Sequence, residues 1–205
     1  MNEIAALAHN VSRETLDQLE VFAGLLTRWN RQINLVSPAT IPDLWSRHIL
    51  DSAQLFVHAP HHAKHWLDLG SGGGLPGLVC AILAKTDRPH CRFTLIESDK
   101  RKAAFLTTAV HELALNVVVL SKRAETAVPQ QADIVSARAL APLSQLLPLV
   151  ARHLRAGGIA LLPKGKTHEQ ELAAARAEWH FDVTSIVSQT DDLARLLIIK
   201  DMSRA

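Results

Sequence analysis

The stretch from His65 to Gly77, His-Trp-Leu-Asp-Leu-Gly-Ser-Gly-Gly-Gly-Leu-Pro-Gly, decides the fold of this chain. Residues 66–69 form a short, mostly apolar run with the length of a buried strand. Five glycines follow within eight positions, and Pro76 stands where a helix can begin. Glycine permits a tight turn and the close approach of a ligand that a Cβ would exclude. This order of strand, glycine turn and helix predicts a site for a nucleotide-type cofactor.

Two cofactors are compatible with the glycines. Gly72, Gly74 and Gly77 fit G-x-G-x-x-G, the dinucleotide fingerprint, which would indicate NAD. Gly70, Gly72 and Gly74 fit G-x-G-x-G with Asp68 two residues before the first glycine, a pattern that resembles motif one of class I S-adenosylmethionine (SAM) methyltransferases. A carboxylate suits a sulfonium and an ammonium but not a pyrophosphate, so Asp68 favours SAM over NAD. A glycine turn without a ligand is the third interpretation, and the density of glycines disfavours it.

Composition indicates one globular domain of 205 residues with a modest extension, because 48% of the residues are hydrophobic. No uninterrupted apolar run reaches the roughly 18 residues of a membrane helix. The beginning of the chain, with Glu3 and His9 and no basic start before an apolar core, lacks the pattern of a secretory signal. Cys80 and Cys91 have no metal-type spacing, so we expect reduced thiols in a cytoplasmic protein without a membrane anchor.

The charge balance is nearly even, with 22 Lys and Arg against 20 Asp and Glu. A net charge of +2 is well short of a polybasic nucleic-acid tail, so any RNA surface must come from local clustering. His61, His62 and His65 cluster before the first predicted strand. A metal site there is one interpretation, and a polar linker is favoured because no Cys or carboxylate completes a ligand set.

Helices are predicted before the glycine turn. Residues 12–30 carry apolar side chains at helical spacing, and Ser12 can cap that helix. A second helix is expected over residues 42–57, where Arg47 and Asp51 are four positions apart and can pair on one face.

From His65 onward the pattern alternates between strands and helices, which predicts an α/β fold with a mostly parallel, doubly wound sheet. Gly157-Gly158 is interpreted as a helix stop before the fifth strand. We expect a helical extension over 1–60, packed on the core, and a cofactor-binding domain over 61–205. The seven predicted strands, of which the last two should form an antiparallel hairpin, are Trp66–Leu69, Arg92–Ile96, Val117–Leu120, Ile134–Ser136, Ile159–Pro163, Val183–Val187 and Leu196–Ile199.

Ligands of such a sheet bind beyond the carboxyl ends of the strands, so the residues at those ends are candidates for the site. Glu97 closes the second strand, 27 positions after Gly70, near the spacing of an acid that holds two ribose hydroxyls. The alternative role for Glu97 is that of an acid at the start of a helix. Arg138 and Lys164 follow the fourth and fifth strands. A lone Arg is costly to bury unpaired, so it should face a carboxylate or phosphate. Two cations at this rim favour an anionic substrate such as RNA, although solvated surface charges explain them almost as well.

Two motifs are absent after the fourth strand. No Asn/Asp-Pro-Pro-Tyr/Phe run stands there, which argues against methylation of an exocyclic amino group, and no Pro-Cys nucleophile, which argues against chemistry at pyrimidine C5. A ring nitrogen with its own lone pair needs no general base, so catalysis would rest on positioning and electrostatics.

Together these segments resemble RsmG, also called GidB, a family of bacterial methyltransferases of small-subunit ribosomal RNA. The resemblance extends over nearly the whole chain, and its most specific segments are Arg47–Ser52, Asp68–Gly77, Arg138-Ala139 and Lys164-Gly165. It implies a class I SAM-dependent (Rossmann-like) seven-stranded fold. It also implies SAM-dependent methylation of guanine N7 in 16S rRNA near the decoding centre. We further expect a monomeric enzyme that needs no catalytic base and no metal.

The resemblance also assigns residues. Glu97 stands at the ribose-binding acid, usually Asp, while Gly73 replaces a common Pro and Ala137 a common Ser. The residues that match the family's SAM contacts are Gly70, Leu75, Ala124, Glu125 and Arg138. From the glycine motif we also expect Asp68, Gly72 and Gly74 to contact SAM. For the RNA substrate we expect contacts from Arg47, His48, Arg138 and Lys164. The alternatives are a NAD-dependent oxidoreductase and a non-catalytic ribosome-binding or partner-binding protein that retains a SAM pocket.

Overall fold

The helix predicted over residues 12–30 is present. The computed structural model describes residues 11–205, and the expectation about Glu3 and His9 lies outside them. Helix α1 runs over Arg13–Asn30, and the Ser12 hydroxyl caps it by accepting the N–H of Thr15 at 3.1 Å. A 3-10 turn at Pro38–Thr40 follows, then a π-helical turn, Trp45–Leu50, that continues into α2, Asp51–His58.

Seven strands then form one sheet with the order β3-β2-β1-β4-β5-β7-β6. The strands from β1 to β5 are parallel to their neighbours, whereas β7 is antiparallel to both β5 and β6, which confirms the predicted hairpin. The strands are β1 His65–Leu69, β2 Arg92–Ile96, β3 Val117–Leu120, β4 Ala132–Ala137, β5 Leu154–Lys164, β6 Trp179–Val187 and β7 Arg195–Arg204. The helices between them are α3 Gly77–Asp87, α4 Lys100–Glu112, α5 Leu143–His153 and α6 His168–Arg176.

The sheet is covered on both faces because side chains alternate along each strand. Trp66 packs on one face in a cluster with residues of α1 to α4, and Leu67 and Leu69 pack on the other face with residues of α5 and α6. Helix α1 belongs to the first cluster through Leu19 and Phe22, so the N-terminal helices share a core with the sheet. Within residues 11–205, no helix has the length and apolar character needed to cross a membrane.

The role predicted for Gly157-Gly158 is wrong, because these glycines lie inside β5 and α5 has already ended at His153. Ala132 of β4 pairs with Leu154, but Ile134 pairs with Ile159, so β5 carries extra residues between its two pairs. Gly157 has a φ of +70°, and a Cβ on Gly158 would lie 3.0 Å from the carbonyl oxygen of Asp133. The glycines therefore allow a bulge beside a close neighbouring backbone.

The predicted ion pair between Arg47 and Asp51 is also wrong. Both residues lie in or directly after the π-helical turn Trp45–Leu50, whose i→i+5 geometry moves residues four apart out of the alignment that an α-helix gives them. The Asp51 carboxylate instead pairs with Arg138, at the end of the fourth strand.

Candidate active site

The glycine turn lies at the carboxyl end of β1 and is fastened to β2. The N–H groups of Gly70 and Ser71 donate to the carbonyl oxygen of Ile96 at 2.9 and 3.1 Å. Gly70, Gly72 and Gly74 all have positive φ, and that of Gly72 is +51°. A Cβ on Gly72 would have only the Gly70 carbonyl oxygen nearby, at 3.8 Å. Glycine is therefore required there for the backbone conformation, and the space beside it is open to a ligand.

Glu97 follows β2 and braces the turn. It is buried, its Oε2 accepts the N–H of Gly72 and its Oε1 accepts the N–H of Asp99, both at 2.8 Å. Each carboxylate oxygen can accept a second hydrogen bond. The structure thus places Glu97 beside the turn, where both the ribose-binding role and the helix-start role predicted for it are geometrically compatible.

Asp68 lies beneath the turn and is completely enclosed. The indole N–H of Trp66 donates to Ser136 Oγ at 2.9 Å, and that hydroxyl donates to Asp68 Oδ1 at 2.6 Å. Asp68 Oδ2 has no hydrogen-bond partner among residues 11–205. Burial raises the pKa of Asp68 to about 6, and the hydrogen bond from Ser136 opposes that rise. A contact between Asp68 and a cofactor cation stays a prediction.

The other predicted cofactor residues are spread around this edge. Leu75 is buried in the core cluster with α1 to α4. Ala124, after β3, is buried and its carbonyl oxygen accepts the Nε2–H of His153 at 2.9 Å, while Glu125 is exposed with its Oε2 3.7 Å from Nε of Arg123. These three roles remain predictions from the family resemblance.

Arg138 and Asp51 form the centre of a second cluster, which joins three distant segments. Arg138 Nη1 lies 3.1 Å from Asp51 Oδ2, and the two side chains are 17% and 16% exposed. Asp51 Oδ1 accepts hydrogen bonds from Gln54 at 2.8 Å and from Thr190, in the loop between β6 and β7, at 3.3 Å. The expectation that Arg138 faces an acidic partner is confirmed.

These residues line a cavity of about 570 Å³ at the ends of β4 and β5, which we call the rim cavity. Arg47, Arg138 and Lys164 all contribute to its wall, so the structure brings three of the four predicted substrate residues together. Lys164 Nζ donates to Glu171 Oε2 and to the carbonyl oxygen of Ala141, both at 2.8 Å. Although burial opposes ionisation, that hydrogen bond and the Lys164 charge hold the pKa of Glu171 below its usual value. Arg138 and Lys164 are therefore each paired with a carboxylate, whereas Arg47 has no ion pair within residues 11–205.

His48, the fourth predicted substrate residue, is half-buried, and its Nε2 lies 2.7 Å from Thr40 Oγ1. Burial and then the Arg138 charge lower the pKa of His48 to about 4. The lowered pKa favours the uncharged ring near neutral pH, so His48 does not add a cation here, and its Nδ1 is buried without a partner among residues 11–205.

Sequence reasoning missed Leu140 and Glu171. A Cβ on Gly70 would lie 2.6 Å from Leu140 Cδ1, so the loop after β4 covers the glycine turn. Glu171 comes from α6 and had no motif to mark it. Among residues 11–205, no group of three or more His, Cys, Asp or Glu is placed to hold a metal ion, and His65 instead contacts Thr94 Oγ1 at 2.9 Å through Nε2.

Comparison with known proteins places this geometry in a family. Residues 15–197 match the GidB family, described as rRNA small subunit methyltransferase G. Curated relatives with the name Ribosomal RNA small subunit methyltransferase G include one from Cereibacter sphaeroides ATH 2.4.9, 47% identical over 99% of this chain and 98% of the relative. Another, from Ruegeria sp. TM1040, is 50% identical over 95% of each chain.

Solved structures agree on the fold. A protein of Agrobacterium tumefaciens described as a predicted O-methyltransferase aligns with a TM-score of 0.58 and 18% identity, over 74% of this chain and 79% of that one. The 16S rRNA N2 G1207 methyltransferase of T. thermophilus, in complex with AdoMet and guanosine, gives a TM-score of 0.53 and 18% identity, over 73% and 38%. These comparisons favour the methyltransferase interpretation over an oxidoreductase and over a non-catalytic binding protein. From the match along almost its whole length, the chain belongs to the rRNA small subunit methyltransferase G family.

Proposed function

We propose that this protein transfers a methyl group from SAM to N7 of one guanine in 16S rRNA, near the decoding centre. The observation that carries the proposal is the agreement with the family along 95% or more of the chain at about half identity. The glycine turn and the buried Glu97 beside it supply a site of the corresponding kind.

The residues proposed to hold SAM lie at the ends of β1 to β4. Gly72 would leave room for the cofactor, because a Cβ there has only the Gly70 carbonyl oxygen within 4 Å among residues 11–205, whereas Gly74 makes room for Leu78 and gives the turn its positive φ. Glu97 would accept the ribose hydroxyls with the lone pairs that Gly72 and Asp99 leave free. Arg138, held by Asp51, would face the SAM carboxylate. Asp68, Gly70, Leu75, Ala124 and Glu125 complete the proposed set.

When bound, SAM supplies a methyl group made electrophilic by its sulfonium. Guanine N7 carries its own lone pair, which forms the new N–C bond while the C–S bond breaks, so the protein need not remove a proton. The chain's task is to position the base in line with the methyl group. The product carries a new positive charge on the ring. The pairing of Arg138 with Asp51 and of Lys164 with Glu171 removes two charges that would otherwise oppose it.

The rim cavity is the proposed place for the target base, and Arg47, His48, Arg138 and Lys164 are the proposed contacts to RNA around it. Side chains cannot easily reach N7 in the deep major groove of an A-form helix, so the target should be a looped-out or splayed base. We also propose that the enzyme acts as a cytoplasmic monomer in which residues 1–60 form an extension of the catalytic domain 61–205.

The direct test is methyl transfer by the purified protein. Small-subunit RNA from cells that lack this gene would be incubated with SAM labelled in the methyl group and then digested to nucleosides. We expect label in N7-methylguanosine at one site. Label in another nucleoside, or binding of NAD in place of SAM, would refute the proposal.

A further inference from the structure

A second cavity lies on the N-terminal helices. It has a volume of about 430 Å³ and runs between the second half of α1 and residues 41–45. We call it the N-terminal groove and define it by Gly24, Arg28, Arg31, Pro42 and Trp45. A Cβ on Gly24 would meet no atom of residues 11–205 within 4 Å, so these residues leave the groove open at this point.

The charge of the groove is entirely positive. Arg28 and Arg31 are the charged residues that line it, and neither has an ion-pair partner among residues 11–205. In the rim cavity, by contrast, Arg138 and Lys164 are paired with carboxylates, and of its three cations Arg47 alone has no ion pair among the described residues. The groove therefore offers two guanidinium groups that are free to bind phosphate, beside the apolar surfaces of Pro42 and Trp45.

Helix α1 lies between the groove and the glycine turn, because Gly24, Arg28 and Arg31 are on its exposed face and Leu26 is on its buried face. A Cβ on Gly73 would be 3.3 Å from Leu35 and 3.6 Å from Leu26 Cδ1, so the end of α1 and the following loop contact the glycine turn. Trp45 lines the groove and Arg47 lines the rim cavity, two positions apart in one helical turn. Residues two apart do not face each other, so the two cavities lie on different sides of this turn.

We propose that the N-terminal groove binds the single-stranded RNA that flanks the target guanine, with Arg28 and Arg31 on phosphates and a base against Trp45. A cationic groove with an aromatic side chain is the arrangement that holds single strands without reading their sequence. This inference rests on the proposed function, because it needs RNA as the substrate of the neighbouring site. It gives the groove the role of holding the strand while the target base enters the rim cavity.

The test blocks the groove without disturbing the cofactor turn. Gly24→Trp fills the space, and Gly24→Ala is its matched control because it makes the same backbone change without filling it. Arg28→Ala/Arg31→Ala removes the charges, and Arg13→Ala/Lys200→Ala removes the same net charge from exposed positions elsewhere. The measurements are the KM for small-subunit RNA at several salt concentrations and the Kd for SAM.

We expect Gly24→Trp and the groove double variant to raise the KM for RNA at least about fivefold, the loss expected for one stacked base. The double variant should also lower the salt slope by about 0.7 for each phosphate contact, and the Kd for SAM should not change. Parental KM in both groove variants would overturn the proposal. A KM raised on assembled subunits but not on naked RNA would also overturn it and indicate a ribosomal protein as the occupant. If the unaltered chain transfers no methyl group to RNA, the proposed function fails instead.

Discussion

The glycine turn and the rim cavity lie side by side on one sheet edge but are built differently. The turn consists mainly of backbone from one continuous segment, residues 70–77, held by hydrogen bonds to Ile96 and Glu97. The rim cavity consists of side chains from α2, from the ends of β4 and β5, from α6 and from the β6–β7 loop. Its central contact joins Asp51 to Arg138, 87 positions apart.

This difference separates the two tasks of the enzyme. A turn fixed by local backbone can serve any SAM-dependent reaction. The two solved structures compared above share the fold at only 18% sequence identity. The rim cavity, which is the proposed RNA site, depends on the long-range pairs Asp51–Arg138 and Lys164–Glu171, so changes there need not alter the turn. Turn variants should therefore lose SAM binding and methylation together. Rim variants such as Lys164→Ala should lower methylation with SAM affinity intact, except at Arg138, which is proposed to contact both SAM and RNA.

The largest effect is expected from Gly72→Val. The φ of +51° is strained for a β-branched residue, and the new side chain would enter the proposed cofactor space. We expect SAM binding to be lost while the protein remains folded, as measured by calorimetry and circular dichroism. Gly157→Val is the matched control because Gly157 also has positive φ and open space but lies in the β5 bulge. Near-parental affinity in Gly72→Val would break the cofactor assignment.

The next test addresses the pair of Asp51 and Arg138 in the rim cavity. Asp51→Asn leaves the mostly buried Arg138 without a charged partner, so the free energy of unfolding should fall by about 1.5–3 kcal/mol. A double-mutant cycle with Arg138→Ala in denaturant unfolding measures the coupling. The exposed pair Arg204–Glu178 serves as the control and should contribute at most about 1 kcal/mol. Equal coupling energies for the two pairs would show that the Asp51–Arg138 contact does not organise the rim.

Glu97→Ala tests whether Glu97 supports cofactor binding at the turn. One or two charge-assisted hydrogen bonds to the ribose would be lost along with the brace on Gly72, so SAM affinity should fall at least about tenfold. Glu169→Ala, at an exposed position of α6, should have no effect in the same titration. If the Glu97→Ala variant binds SAM with the affinity of the parent, the role of Glu97 is that of an acid at the start of a helix.

The smallest effect is expected from Lys164→Ala. Its ammonium is already bound to Glu171 and Ala141, so it has little capacity left for phosphate. RNA methylation should decrease and its salt slope should fall by at most about 0.7, with SAM affinity intact. Arg138→Ala should instead impair both SAM binding and methylation. Unaltered rates and salt dependence in Lys164→Ala and Arg47→Ala would place the RNA surface elsewhere.

Local sequence patterns predicted most of the fold. The bounds of β2 and β3 agree with the prediction because each is a short run of β-branched, aromatic or aliphatic residues. The strands β5, β6 and β7 are longer than predicted, since their outer parts are polar or exposed and are held by pairing with neighbours. The prediction that Gly157-Gly158 ends a helix is wrong for the same reason, because the bulge in β5 depends on pairing with the adjacent strand β4.

The candidate site also has a part that the local sequence predicts and a part that depends on long-range packing. Gly70, Gly72, Gly74 and Glu97 could be found from spacing alone, because the turn is local and Glu97 ends the next strand. Spacing could not reveal that Asp51 pairs with Arg138, since the π-helical turn and the sheet order decide which side chains meet. The pairing of Lys164 with Glu171 likewise depends on how α6 packs beside β5.

The most direct test of the central claim is the content of N7-methylguanine in small-subunit RNA from cells with and without this gene. We expect one N7-methylguanine near the decoding centre to disappear when the gene is deleted. It should return with the parental gene and not with Gly72→Val. An unchanged N7-methylguanine content after deletion, or full restoration by Gly72→Val, would contradict the account.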